Sequence, residues 1–398
     1  MYNTIIVGAG PVGSYLAEKL AQLGYKVLVL DKKMAAGQDV CCTGIIGKEC
    51  LDLLSIDNGL IMRQADSAKF LASSGKSLRL QRDDEVAYVV DRPALDLALA
   101  TRAQAAGADY LFSAQVMDIQ IEPDCLRLVV DCCGQGKAFE AMTSVVATGF
   151  GSPLPANLGL GKINDFIIGA QAEVSVNGLD EVEVYFDQTL APGGFAWLVP
   201  VRNSRGLAGL MVNKQPEWHL SKLLSTLKAQ GKVVSTEAVP GYGLIPIRSL
   251  PRTYADRILV VGEAAGQVKA TTGGGIYYGL LCADIAADCL HQAFLVNDFS
   301  ASKLACYQKQ WRTMLGKELQ TGYWARRLYQ KLGNRQIERL HNFISSSGIP
   351  QFISEAENFS FDWHGELILK MLGHLTISIP IQAIKSIGVY LAIPQIRK

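Results

Sequence analysis

The sequence predicts an α/β protein: a parallel sheet of nucleotide-binding type, an inserted and mainly antiparallel sheet, and a C-terminal helical region. Three observations carry that prediction. The chain opens with an apolar run, a Gly-x-Gly-x-x-Gly, a helical pattern and a second apolar run in immediate succession. A second glycine-rich stretch, GEAAGQVKATTGGGI (262–276), follows a later apolar run. Over 159–240 apolar and polar residues alternate, as in DFIIGAQAEVSV, EVEVYFD and GLAGLMVN, the period of strands with one covered face. The expected division is a discontinuous nucleotide domain over 1–158 and 241–300, a substrate sheet over 159–240, and helices over 301–398.

The N-terminal unit can be justified residue by residue. Residues 4–7 are a short apolar run suited to a strand buried on both faces. Gly8 permits a tight turn, Gly10 lets the backbone approach a pyrophosphate, and Gly13 lets helix and strand pack closely. Helical spacing over 15–23 follows, ended by Gly24, and the helix start offers free N–H groups to phosphate. Residues 26–30 form the next strand. Asp31 closes it, placed to accept ribose hydroxyls, which fits FAD or NAD over NADP. Pro11, Val12 and Lys32 are cofactor-side candidates with them.

Bulk properties narrow the class. The chain has 398 residues, 49% hydrophobic and 19% charged, with a formal net charge of +1. That is a core-building composition, and nothing in its charge calls for nucleic acid. The nine cysteines include the adjacent pairs Cys41-Cys42 and Cys132-Cys133 but no C-x-x-C. A reduced, cytoplasmic protein without a metal site is the expectation. Mean hydropathy is +0.17. Residues 371–396 hold one formal charge, Lys385, and are interrupted by Pro380 and Pro394, so a surface helix at a membrane or an apolar cavity wall fits better than a span. YWARRLYQKL (323–332) reads as a basic amphipathic helix, facing solvent, phospholipid headgroups or a diphosphate.

Three further stretches resemble flavoproteins. VVDRPALDLALATRAQAAGADYL (89–111) resembles a segment of flavin hydroxylases and their relatives, and the resemblance implies that Arg92 reaches the ribityl and phosphate region. VVATGFGS (145–152) resembles the strand and turn that return the chain to the dinucleotide domain. Hydroxylases carry Ala-Asp-Gly there, where this chain has Ala147-Thr148-Gly149. In Gly262-Glu263 the superfamily has Gly-Asp, whose carboxylate holds a ribityl hydroxyl. Thr272, Gly273, Gly274, Gly275 and Ile276 then open a helix whose N–H groups suit the N1–C2=O edge of a flavin. On this reading the glycines clear room for the ring. Together these imply FAD on a glutathione reductase/p-hydroxybenzoate hydroxylase-like Rossmann-type domain.

Two stretches narrow the resemblance to the geranylgeranyl reductase family. PGGFAWLVP (192–200) is similar to its Pro-Gly-Gly followed by Tyr-x-Trp-x-Phe-Pro, with Phe195 for the tyrosine, Trp197 for the tryptophan and Val199 for the phenylalanine. Phe195 cannot donate a proton. DVCCTGIIG (39–47) is similar to the family's cysteine loop near the flavin, with Cys42 best in register, Cys41 as the alternative, and Thr43 and Gly44 beside it. The family implies hydride transfer from reduced flavin N5 to an isoprenoid double bond. Trp197 would stabilise developing positive charge, and Cys42 would deliver a proton or gate the loop. It also implies a prenyl-lipid substrate, an external donor such as NADPH or a ferredoxin-like protein, and peripheral contact with a membrane. An FAD-dependent monooxygenase and a flavoprotein passing electrons to quinone stay open as alternatives.

Overall fold

The computed structural model describes residues 1–237, 239–355, 360–363 and 365. The apolar stretch 371–396 lies outside them. The N-terminal unit forms β1 (Tyr2–Val7), α1 (Pro11–Gln22) and β2 (Val27–Leu30). α1 starts earlier than its apolar spacing suggests because Pro11 sits at the first helical position, where no N–H is missed.

β1 lies between β2 and Gln135–Val146, parallel to both, and Ile258–Val260 and Asp109–Leu111 extend the parallel set outward. Their Val, Ile and Leu side chains are almost fully buried, as sheets covered on both faces require. One face packs α1 together with the helices Arg92–Ala105 and Ile276–Leu295, around Tyr15, Leu16, Leu99, Leu290 and Trp311. The other packs under a hairpin, Ala114–Ile121 with Leu126–Cys132. Arg127 and Asp131 belong to that hairpin, and Asp131 accepts from the Gly134 N–H in the turn that follows.

The second eight-stranded sheet is antiparallel except at one pairing. Its centre is Phe166–Val176, Arg205–Val212 and Ala196–Pro200, inside the expected 159–240. Further strands come from outside that range. Ser67–Ala72, itself paired with Ser77–Gln81, runs parallel to Val182–Phe186, and Gly241–Pro246 pairs with Phe166–Val176. Their partners lie far along the chain, which spacing within each strand does not encode. One face is covered by the helix Pro216–Ala229 through Leu220, Leu223 and Leu227. The other carries Ile167, Met211, Phe195 and Trp197 against Ala270 and Tyr323, and so forms the joint with the first sheet.

The long helix Ala301–Tyr329 returns from the far end of Ile276–Leu295 and reaches this joint with its last turns. Ser300 caps its start by accepting from the Lys303 N–H. Among the described residues no helix is long and apolar enough to cross a membrane.

Candidate active site

The nucleotide end is held by close backbone contacts. Gly8 has φ +116°, and a Cβ there would lie 2.3 Å from the Ala147 carbonyl oxygen. A Cβ on Gly13 would lie 2.0 Å from the Gly8 oxygen. Gly10 differs: a Cβ there would meet nothing within 4 Å. The open space begins where α1 begins, and no side chain caps that start. A phosphate-sized gap at an uncapped helix N-terminus fits a dinucleotide. Asp31 accepts from the Ala9 N–H at 2.6 Å and from the Lys33 N–H at 2.8 Å. It therefore pins the phosphate loop, and each oxygen keeps a second lone pair for a ribose. Lys32 is exposed.

The reactive end is built around Glu263. Its carboxylate lies toward the Gly149-Phe150 turn and the Gly275 backbone, in the field of Arg92. Burial pushes its pKa up, against the lowering influence of Arg92 and the Phe150 backbone. Arg92 is buried, donates to Asp96 at 2.9 Å and neighbours the Cys42 thiol. Its Nε has no partner among the described residues. A buried, unsatisfied guanidinium donor beside Gly149, where a Cβ would meet only Glu263 at 3.9 Å, suits the polar middle of the cofactor. No side chain caps the start of Ile276–Leu295 either. The two ends meet at Val12, which fills the space a side chain on Gly262 or Gly279 would need.

One expectation is corrected here. The glycines 273–275 do not simply clear a path for a ring. Their Cβ directions meet protein: Met211 and Ile245 at Gly273, the Lys269 stem at Gly274, Val268 and Glu263 at Gly275. Glycine is needed there so that the loop can close on its own neighbours.

The cysteine loop and the aromatic motif are joined by a residue that sequence reading missed. Trp197 lies across from Gly209, which lies across from Gln171, on three adjacent strands. A Cβ on Gly209 would lie 2.4 Å from the indole, so the ring crosses that strand over bare backbone. Its Nε1–H reaches the Gln171 Oε1 at 3.3 Å. The same oxygen accepts from Thr43 Oγ1 at 2.7 Å, and Gln171 Nε2 donates to the Cys42 carbonyl at 3.4 Å. Cys42 Sγ accepts from the Gly44 N–H at 3.4 Å, whereas Cys41 Sγ turns to Gly241. The rings of Phe70, Phe186, Phe195 and Trp197 form a continuous series, with Tyr329 against Phe186. Thr272 and Ile276 stand at the rim of this joint, exposed and half-buried.

The C-terminal region also supplies residues that no motif marked. Lys269 pairs with Asp362 at 2.6 Å, both buried, and the Tyr278 hydroxyl donates to the Asp362 carbonyl at 2.8 Å. Arg326, read as part of a basic amphipathic face, is buried at 4% exposure, while Arg327 stays exposed near Asp165. A lone arginine inside a polar helix gives no sequence signal of burial.

A parallel nucleotide sheet with two uncapped, glycine-led helix starts meeting at one residue is built as a dinucleotide-binding site. Residues 3–345 match the family model described as lycopene cyclase protein. A digeranylgeranylglycerophospholipid reductase from Methanocaldococcus jannaschii is 27% identical over 358 residues, covering 87% of this chain and 91% of its own. A geranylgeranyl bacteriochlorophyll reductase-like protein from Thermoplasma acidophilum shares the fold, with TM-score 0.84 at 21% identity over 97% of this chain and 99% of that one. The halogenase PltM, solved as a mutant in complex with FAD, superposes with TM-score 0.69 at 14% identity over 96% and 93% of the two chains. The chain belongs to the lycopene cyclase protein family, and the reductase relatives it matches are of the kind that its motifs resemble.

Proposed function

We propose that the protein is a prenyl reductase that saturates isoprenoid C=C bonds. The observation that carries this reading is the row Cys42, Gln171, Gly209, Trp197, set on an apolar face beside the glycines 273–275. The named activity of the Methanocaldococcus jannaschii relative supports it. Bound and reduced FAD supplies a hydride from N5 to one carbon of the double bond, and a proton completes the other carbon.

The chain's own residues do the rest. Gly8, Gly10, Gly13 and Asp31 hold the adenosine end, and Arg92, Gly149 and Glu263 the ribityl region. Residues 272–276 present backbone to the flavin edge. The series from Phe70 to Trp197 lines an apolar path that excludes water and fixes a prenyl tail. Trp197, its N–H fixed on Gln171, presents a π-face to carbon that becomes positive. Phe195 packs against it and moves no proton. Cys42 Sγ is the proton-bearing atom. In this reading 1–158 and 241–300 carry the cofactor and the second sheet faces the substrate, while NADPH or a ferredoxin-like protein reduces the flavin at a cytoplasmic membrane surface.

The test is anaerobic. Protein with photoreduced FAD is mixed with geranylgeranyl lipids, and hydrogen uptake at double bonds is followed by mass. Flavin reoxidation without a saturated product overturns the reading.

A further inference from the structure

The long helix Ala301–Tyr329 buries the cation of Arg326 at the joint between the sheets, where no carboxylate among the described residues pairs with it. Arg326 is 4% exposed. Its Nη1 donates to the carbonyls of Ala270 at 3.1 Å and Thr271 at 3.3 Å, and its Nη2 donates to Gly193 at 3.0 Å. Its Nε has no partner among the described residues, and no carboxylate among them lies within ion-pair distance of it. Burial lowers its pKa to about 10, against the opposing influence of Tyr329 and Asp165, so it stays charged at neutral pH.

A buried charge solvated only by peptide carbonyls is costly, and a structural clamp does not need one. The carbonyls chosen are informative. Each belongs to a peptide group whose N–H lies on the next residue. Ala270 and Thr271 therefore put the N–H groups of Thr271 and Thr272 in line with the guanidinium, at the start of the stretch that leads into Ile276–Leu295. Polarising a carbonyl makes its own N–H a stronger donor. The helix start already offers positive potential there.

We infer that Arg326 is a positioning residue that acts through the 270–272 peptides to raise the reduction potential of bound FAD. The inference rests on the placement of the flavin edge at 272–276 and not on the prenyl substrate. Negative charge added to the flavin on reduction would meet those polarised N–H groups, so the reduced form gains more than the oxidised form.

The test is a dye-coupled reductive titration, under nitrogen, of FAD-loaded wild type, R326K, R326Q and R326M. The midpoint should move to more negative potential in R326M and R326Q, which lack the charge, with R326K between them and wild type. R326Q keeps two N–H donors for those carbonyls and serves if R326M does not fold. A neutral variant that binds FAD with the wild-type midpoint overturns the inference while leaving the cofactor site intact. A wild-type chain that takes up no FAD overturns the site and the inference together.

Discussion

The two ends of the proposed cofactor site are built in opposite ways. The nucleotide end lies mainly within β1, α1 and β2: Gly8 with Gly13 and Ala9 with Asp31 stay inside that unit, and Gly8 against Ala147 is its reach to a distant strand. The reactive end takes Cys42, Arg92, Gly149, Glu263 and Gly275 from separate elements, then adds Lys269 with Asp362 and Arg326 behind them. A local device is rigid because its backbone allows no alternative. An assembled device is rigid only while every distant contributor is in place.

That contrast breaks if distant contributors prove dispensable. Asp362→Asn strips Lys269 of its buried counter-charge and should cost about 3–5 kcal/mol in urea unfolding. The apolar double variant Lys269→Met, Asp362→Leu should recover much of it. A single variant as stable as wild type would show that the C-terminal segment does not hold the reactive end.

At the local end the effect should depend on which glycine is touched. Gly13→Val forces a side chain into the Gly8 oxygen and should cost about 3 kcal/mol and FAD binding with it. Gly10→Ala, with open space ahead of it, should keep stability within about 1 kcal/mol yet weaken FAD binding at least about tenfold. FAD fluorescence titration separates the two, and equal FAD affinity in Gly10→Ala and wild type would remove the pyrophosphate from that gap.

Gln171→Leu leaves Thr43 and Trp197 without their shared acceptor and should cost about 1 kcal/mol. It should lower kcat for prenyl reduction more than it raises KM. The same kcat in Gln171→Leu as in wild type would detach the cysteine loop from the aromatic row.

The smallest effect concerns Glu263. Because burial raises its pKa, the folded chain holds that proton more tightly than the unfolded one. The corresponding stability is present at low pH and is lost as pH rises from the ordinary value of 4.5 through the raised one. Glu263→Gln should therefore gain stability relative to wild type as pH rises above the ordinary value of 4.5. Parallel urea midpoints across that range would count against a desolvated carboxylate.

Legibility in the sequence follows the same division. Gly8, Gly10, Gly13 and Asp31 announce themselves because they fall in one β-α-β unit with fixed spacing. Arg92, Glu263 and the aromatic motif were reachable only through resemblance, since nothing local requires them. Gln171 sits in an alternating strand where a polar residue is expected on the open face, so its reach to two other strands leaves no trace. Arg326 has the same invisibility on a polar helix. The glycines 273–275 were noticed, but the neighbours they admit, Lys269 and Met211, depend on chain crossings that spacing does not encode.

The position of Arg326 and Asp362 along the chain also sets an order of events in synthesis. At 5–20 residues per second, they leave the ribosome roughly 15–60 s after Asp31. During that interval a nascent chain presents a finished phosphate loop and an unfinished flavin seat. A chain cut before Arg326 keeps every glycine of both loops together with Cys42, Arg92, Trp197 and Glu263, and loses only the two charges, Arg326 and Asp362, that pack behind the second loop.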